Sequence, residues 1–202
     1  MKIGVAGCGA MGRPMAEAML ASGADLKAFD IRPASEFGPF ATHLTGLNAF
    51  RDVETLFSIV RDVPQTEELL FGTQGMASAP NLTTLILSST LPPSYIHDLR
   101  TRLPAHITLI DAPMSGAPVA ARERRLAFML GGEAEAIAPL LPLFEAMGQK
   151  IHHMGPLGSG MVMKVLNNMI AASSVTATRL AQSWAEAAGI PAPRFREVAE
   201  DS

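Results

Sequence analysis

Short apolar runs of strand length recur through the first half of the chain, separated by polar residues and by residues at helical spacing. These runs cover residues 3–6, 24–29, 56–60, 84–87 and 107–110. Apolar positions at helical spacing predict helices over residues 10–20, 65–71 and 92–103, whereas residues 33–50 predict only short helices and loop. Strands that alternate with helices predict parallel βαβ units, and therefore an α/β fold with a doubly wound, mainly parallel sheet.

The same alternation continues past residue 110. Residues 126–130 predict another strand, which ends in two glycines. A helix is predicted over residues 133–147, and a last short strand over residues 149–153. The predicted sheet therefore extends across most of the first 150 residues.

The pattern changes after residue 155, where several glycines interrupt the chain. Residues 159–188 then contain no helix breaker, and their apolar positions recur at a spacing of three and four. A helix of this length is unusual in a compact α/β domain. It predicts a connector from a first domain, residues 1–158, to the start of a second, all-helical region within residues 159–202.

A glycine-rich turn lies between the first predicted strand and the first predicted helix. Gly7 permits the tight turn, Gly9 lets the backbone approach a pyrophosphate, and Gly12 allows the helix to pack closely on the strand. Ala10 and Met11 complete the turn, at a helix N-terminus that favours negative charge. An ordinary tight turn that binds nothing is the alternative. The strand, the helix and an acidic residue at the expected spacing favour a Rossmann-type dinucleotide-binding domain.

The acidic residue is Asp30, which follows the second apolar run and lies eighteen positions after Gly12. A carboxylate at this place accepts hydrogen bonds from the adenosine ribose and repels a 2′-phosphate, so NAD is the predicted cofactor. Arg32 keeps NADP possible, because an arginine just beyond this strand can pair with a 2′-phosphate.

Composition and charge restrict the other function classes. The 202 residues carry a net charge of −3 and a pI near 5.9, which gives no electrostatic reason to expect nucleic acid or an anionic membrane as a partner. A single cysteine excludes an intramolecular disulfide framework and fits a reducing compartment. No apolar stretch has the length of a signal-peptide core or a membrane span, so we expect a cytoplasmic protein.

A lysine and an asparagine lie one turn apart on the long predicted helix. Lys164 and Asn168 are four residues apart, so both side chains leave the same helix face. The immediate neighbours of Lys164 are apolar, and partial burial would lower its pKa toward the range of a general acid or base. A solvated surface lysine is the alternative.

Four motifs, in this order along the chain, resemble the β-hydroxyacid dehydrogenases, which include 3-hydroxyisobutyrate dehydrogenase and tartronate semialdehyde reductase. They are the glycine turn at residues 7–15, Ser89-Thr90 with the prolines that follow, residues 111–116 (DAPMSG), and residues 158–168. The resemblance covers almost the whole chain. It implies a hydride transfer between NAD(P) and a small β-hydroxyacid or acid semialdehyde, without a metal.

The resemblance also implies roles for individual residues. Lys164 would be the general acid that protonates the carbonyl oxygen during reduction, and the base in the other direction. The remaining implied contacts are with the substrate (Ser115, Asn168 and the backbone N–H groups of Gly116 and Ala117) and with the cofactor (Val60, Arg61, Thr90). A small-molecule carboxylate is therefore the expected substrate.

The sequence departs from the family pattern in two ways. Ala117 and Arg124 stand where the family usually has glycine, and residues 122–125 add positive charge, either as a solvated helix end or to recognise an extra anionic group of the substrate. Family members also continue through a further helical domain, which closes the cleft and builds the dimer. We therefore expect a cleft open on one side, doubtful activity of this chain alone, and association into a homodimer or higher oligomer.

Two other functions stay open at this point. One is an NADPH-dependent imine reductase of the same superfamily, but those enzymes commonly lack the catalytic lysine. The other is a nucleotide-binding module that has lost its chemistry. Lys164, Ser115 and Asn168 together argue against such a loss.

Overall fold

Among residues 1–200, which the computed structural model describes, eight strands form one mixed sheet. The strands are β1 (Ile3–Ala6), β2 (Leu26–Phe29), β3 (Thr55–Ser58), β4 (Thr84–Leu87), β5 (Thr108–Asp111), β6 (Met114–Ser115), β7 (Leu126–Gly131) and β8 (Gly148–Gly155). The helices are α1 (Gly12–Ala21), α2 (Leu47–Phe50), α3 (Val63–Leu70), α4 (Pro93–Arg102), α5 (Pro118–Arg122), α6 (Ala134–Ile137), α7 (Leu141–Met147), α8 (Ser159–Ala187) and α9 (Ala192–Glu200). Short 3-10 segments cover Ala34–His43, Met76–Ser78 and Ala138–Leu140.

The strand order places the ends of β1 to β4 along one edge of the sheet. The order is β2-β1-β3-β4-β5-β7-β6, with β8 paired to β7. The first five strands are parallel, β7 runs antiparallel to β5 and β6, and β8 runs parallel to β7. The chain reverses its direction of winding between β1 and β3, and ligands of open α/β sheets bind at such switch points. The predicted doubly wound, mainly parallel fold is confirmed.

Apolar side chains cover both faces of the sheet, because successive residues of a strand point to opposite sides. Leu56 and Phe57 are neighbours in β3, and they belong to two separate buried clusters. On one face, Phe144 of α7 packs edge-on against Phe57 and Phe128, with ring centroids 5.8 and 5.0 Å apart. Leu56 packs on the other face with residues of α3 and α4, such as Leu69. Burying each such side chain contributes about 1.5–3 kcal/mol, so both helical layers hold the sheet in place.

The contacts divide the chain into two compact units, residues 1–164 and residues from 165 onward. The first unit contains the whole sheet, α1 to α7 and the first six residues of α8. The second contains the rest of α8, together with α9, of which no residue is buried. The helix predicted over residues 159–188 is thus confirmed, and the helical start predicted at residue 193 corresponds to α9; residue 201 lies outside the described part.

Several predicted elements have other bounds in the structure, and two of these differences have a clear physical reason. The strand predicted over residues 56–60 is Thr55–Ser58, because its pairing with β1 stops at Ala6, where the glycine turn begins. The single helix predicted over residues 133–147 was wrong, since the segment is divided into α6, a 3-10 segment and α7. Pro139 and Pro142 explain the division, because proline has no N–H to donate to the preceding turn.

Neither β6 nor α5 was predicted as an element from the sequence. β6 has only two residues, between Pro113 and Gly116, and it exists through its antiparallel pairing with β7. So short a segment has no measurable periodicity, and its conformation depends on a partner strand that is distant in sequence.

Candidate functional site

A cavity of about 770 Å³ opens at the carboxyl ends of β1 to β4. This volume lies in the range of small-molecule and cofactor sites. All the residues that the sequence assigned to the cofactor line it: Gly7, Gly9, Ala10, Met11, Gly12, Asp30, Arg32, Val60, Arg61 and Thr90. Residues from four separate loops therefore meet at the switch point of the sheet.

The three glycines of the turn at the base of the cavity differ in what surrounds them. Gly7 has a φ of +89°, and a Cβ there would lie 2.7 Å from the carbonyl oxygen of Ile59. A Cβ on Gly12 would overlap the carbonyl oxygen of Gly7. Gly9 differs, because a Cβ there would meet nothing within 4 Å. Packing thus explains Gly7 and Gly12, whereas Gly9 borders open space in the cavity.

Asp30 follows β2, and its carboxylate fixes the glycine turn. One oxygen, Oδ2, accepts the N–H of Cys8 at 2.7 Å, and the other, Oδ1, accepts the N–H of Arg32 at 3.0 Å. Burial disfavours the charged form of Asp30, but the hydrogen bonds from Arg32 and Cys8 outweigh it and hold the pKa below its usual value. Asp30 is therefore ionised at neutral pH.

Arg32 pairs with Asp30 instead of extending into solvent. Its Nε donates to Oδ1 of Asp30 at 3.0 Å and its Nη2 donates to Oδ2 at 3.1 Å. The guanidinium also lies 4.6 Å from the ring centroid of Phe37. Its position at the cavity wall is thus held by an ion pair and a cation–π contact.

Cys8 is a buried residue of the glycine turn and fills space in the core. Burial and the neighbouring Asp30 raise the pKa of its thiol to about 12. A thiol that stays protonated at neutral pH is a poor nucleophile.

The loops after β3 and β4 form the opposite wall. The carbonyl of Val60 accepts the hydroxyl of Ser89, and the N–H of Arg61 donates to Oε1 of Gln65 at 3.0 Å. Thr90 is exposed at the same wall. The contact between Ser89 and Val60 joins the two loops, and the contact between Arg61 and Gln65 ties the loop after β3 to α3.

Ser88 and Gln65 are among the residues of this wall that the sequence did not single out. Ser88 is 2% exposed, and its Oγ has no hydrogen-bond partner in the part of the chain that the structure describes. Ser88 immediately precedes the Ser89-Thr90 pair, so the run of three hydroxyl residues was the available signal.

The predicted substrate residues of the first unit lie after β5 and outside the lining of this cavity. Ser115 is half-buried in β6, while Gly116 and Ala117 are exposed. Gly116 has a φ of +139°, and Ala117 precedes α5 with a φ of −79°. Met114, next to Ser115, does line the cavity.

Lys164 is half-buried in the second turn of α8. Burial lowers the pKa of its ammonium below the usual value, as the sequence predicted. It does not line the cavity. Asn168 follows four residues later in the second unit, and its side chain is exposed.

Asp111, at the end of β5, holds the start of α8. It is 0% exposed, and its Oδ1 and Oδ2 accept the N–H groups of Gly158 and Met161, each at 2.7 Å. Burial raises the pKa of Asp111, although these two hydrogen bonds act in the opposite direction. The sequence placed Asp111 in a motif without assigning it a role.

The arginine-containing segment at residues 122–125 is exposed throughout. Arg125 pairs with Glu123 through Nε at 2.9 Å, which agrees with a solvated helix end. Arg124 has a φ of +55°, a backbone conformation typical of glycine. This explains why glycine suits the position, although an arginine occupies it here.

Neither a membrane span nor a metal cluster is found among residues 1–200. No helix there is long and apolar enough to cross a bilayer. Within the same residues, His, Cys, Asp and Glu form no group of three or more that could hold a metal ion.

Comparisons with known proteins agree with this geometry. Residues 2–155 match the model of the NAD binding domain of 6-phosphogluconate dehydrogenase. The chain is 35% identical to 2-hydroxy-3-oxopropionate reductase of Escherichia coli, over 98% of this chain and 70% of the relative. A solved structure of Mycobacterium tuberculosis 3-hydroxyisobutyrate dehydrogenase with L-serine superposes with a TM-score of 0.85 at 27% identity, covering 100% of this chain and 70% of that one.

One further solved structure shares the fold alone. It is an imine reductase variant of Myxococcus stipitatus in complex with NAD+, with a TM-score of 0.87 at 18% identity, covering 98% of this chain and 70% of that one. The family model and the relative at 35% identity decide the assignment. The chain belongs to the β-hydroxyacid dehydrogenases, the NAD(P)-dependent dehydrogenases of small hydroxyacids.

Proposed function

We propose that this protein interconverts a small β-hydroxyacid of the 3-hydroxyisobutyrate type and its acid semialdehyde, with Lys164 as the general acid and base. The observation that carries the proposal is the half-buried Lys164, whose pKa is lowered by burial. The helix that bears it is anchored to the end of β5 by Asp111. β5 is the direct neighbour of β4, after which Ser88 and Thr90 line the cofactor cavity.

In the proposed chemistry, Lys164 transfers one proton to or from the substrate oxygen. The nicotinamide cofactor, when bound, supplies or accepts the hydride. During reduction the Lys164 ammonium donates its proton to the carbonyl oxygen as negative charge develops there, and during oxidation the neutral amine accepts the hydroxyl proton. Burial lowers the pKa of Lys164, so the neutral amine that oxidation requires forms more readily than on a free lysine.

The substrate carboxylate requires donors close to the lysine helix. We assign this role to the backbone N–H groups of the exposed residues Gly116 and Ala117, after β6. Ser115 would orient the substrate from β6, and Asn168 would do so from the position one turn after Lys164 on α8. These assignments rest on the motif resemblance and on the order of the elements.

The proposal is tested with Lys164→Ala in a turnover assay. Reduction of 2-hydroxy-3-oxopropionate with NADH and oxidation of 3-hydroxyisobutyrate with NAD+ are followed by NADH absorbance. Loss of the general acid should lower the rate by about 10²–10⁴-fold. NADH affinity, measured by fluorescence titration, should stay unchanged, because Lys164 does not line the cofactor cavity.

Lys150→Ala is the matched control, since Lys150 is an exposed lysine of β8. It should leave both the turnover and the NADH affinity unchanged. Full turnover by Lys164→Ala would remove the proposed mechanism. Reduction of cyclic imines by the unmutated chain, without turnover of either hydroxyacid pair, would instead favour the imine reductase function.

A further inference from the structure

The start of α8 lacks a cap of its own. The carbonyl of Gly158 accepts the N–H of Val162 at 3.0 Å, so Gly158 is the residue that precedes the first helical turn, the N-cap. An N-cap side chain normally accepts the N–H of the third helical residue, and that residue's side chain reaches back to the N-cap N–H. Gly158 and Met161 can do neither, because glycine has no side chain and methionine has no comparable acceptor.

One residue from the sheet makes both of these contacts. Asp111 accepts the N-cap N–H of Gly158 through Oδ1 and the N–H of Met161 through Oδ2, each at 2.7 Å. It is 0% exposed and lies forty-seven and fifty residues before its two partners. A carboxylate has two acceptor oxygens and no donor when ionised, which matches two N–H groups that both point at it.

Two glycines next to Asp111 leave room for its carboxylate. A Cβ on Gly131, the partner of Asp111 in β7, would overlap the Asp111 carboxylate. A Cβ on Gly160 would overlap the carbonyl oxygen of Met129 and would lie 2.9 Å from Oδ2 of Asp111. The absence of side chains at these two positions therefore leaves room for the buried carboxyl group of Asp111 between β5, β7 and α8.

The same residue also begins the substrate segment. Asp111 ends β5, and the chain passes through Ala112 and Pro113 directly into β6, which holds Ser115. Lys164 is three residues after Met161, about 4.5 Å farther along the helix axis. The contact with Asp111 thus joins the beginning of the substrate segment to the beginning of the lysine helix.

We propose that Asp111 is a positioning residue, which caps α8 from the sheet and thereby fixes the place and the burial of the Lys164 side chain. The contact between Asp111 and the start of α8 does not depend on the proposed function. Only the relevance of this contact to turnover rests on that function. Asp111 is not assigned a contact with substrate or cofactor.

The test is the variant Asp111→Asn, which keeps the size of the side chain. Its carbonyl oxygen accepts one N–H, but its NH2 group then faces the other N–H without an acceptor. The first turn of α8 should loosen, and Lys164 should become more hydrated. The pH midpoint of Lys164 acetylation, quantified by mass spectrometry, should shift upward, because burial lowers the pKa of this ammonium in the unmutated chain.

Asp62→Asn is the matched control. Asp62 caps α3 by accepting the N–H of Gln65 at 3.0 Å, so the variant removes a capping carboxylate from a helix that does not carry Lys164. It should leave the acetylation midpoint of Lys164 unchanged. An unchanged midpoint in a folded Asp111→Asn variant would overturn the proposal.

A second measurement covers the case in which Asp111→Asn does not fold. In the unmutated chain, the amides of Gly158 and Met161 should exchange their hydrogens slowly, although amides at a helix start normally lack partners. Fast exchange at both amides would contradict the cap. Neither measurement needs turnover, so a failure of the proposed function would appear only in the assay of Lys164→Ala.

Discussion

At the scale of single residues, Asp30 makes two kinds of contact with the same carboxylate. Its carboxylate holds the glycine turn through the N–H of Cys8, and it pairs with Arg32 at the cavity wall. The sequence predicted the position and charge of both residues, but not their contact with each other. Nothing in a linear pattern says whether an arginine two positions away extends into solvent or folds back onto the carboxylate.

This ion pair leads to a prediction about cofactor choice. NADH should bind more tightly than NADPH, because the pKa of Asp30 lies below its usual value and the ionised carboxylate repels a 2′-phosphate. Arg32→Ala should weaken NADPH binding further, by about tenfold or more, since a hydrogen bond to a charged group contributes about 1.5–3 kcal/mol. Its effect on NADH should be smaller.

Fluorescence titration with both cofactors measures these affinities. Arg179→Ala, which removes an exposed arginine of α8, serves as the control for a change in total charge. Tighter binding of NADPH than of NADH by the unmutated chain would mean that Arg32, and not Asp30, decides the selectivity.

At the scale of elements, the turn between β1 and α1 was predictable because its three glycines have separate physical reasons. Gly7 and Gly12 are required by backbone contacts, whereas Gly9 borders open space, where the sequence predicts the approach of a pyrophosphate. The pattern of residue types contains this information, since each role excludes a side chain. Elements that depend on distant partners, such as β6 and the cap of α8 by Asp111, leave no local pattern to detect.

Alanine at Gly12 should mainly lower the stability, whereas alanine at Gly9 should mainly weaken cofactor binding. Gly12→Ala should lower the free energy of unfolding by about 1–3 kcal/mol, because its Cβ overlaps the backbone oxygen of Gly7. Gly9→Ala should change the free energy of unfolding by less than about 0.5 kcal/mol. It should nevertheless weaken NADH binding, because its methyl group occupies the space that we assign to the pyrophosphate.

Urea unfolding followed by circular dichroism gives the stabilities, and NADH titration gives the affinities. The two variants differ only in position, so each is the control of the other. Wild-type NADH affinity in Gly9→Ala would show that the cofactor phosphates do not approach this turn.

At the scale of the whole molecule, the hydrophobic pattern predicted the fold class because a parallel sheet needs apolar runs of strand length that alternate with helices. It did not predict the strand order, which follows from packing on two faces. The cofactor residues could be predicted because they follow strands that end at one edge. The role of Asp111 could not, because it depends on a contact between residues forty-seven positions apart.

The exposed stripe of α8 gives a last prediction, which concerns association. Val162, Val165, Leu166, Met169 and Ile170 recur at helical spacing and are 43–60% exposed. Apolar side chains at such spacing form a continuous surface, and a second copy of the chain can cover it. We therefore expect the chain to self-associate at micromolar concentration in sedimentation experiments, and the double variant Met169→Lys/Ile170→Lys to shift it to the monomer.

The matched control is Ala171→Lys/Thr178→Lys, which adds the same charge on the opposite side of the same helix. This control should associate as the unmutated chain does, because it leaves the stripe intact. Raising the salt concentration should not restore association of Met169→Lys/Ile170→Lys, since the lost contribution is apolar and not electrostatic. A monomeric unmutated chain, or equal dissociation of both double variants, would contradict association through this stripe.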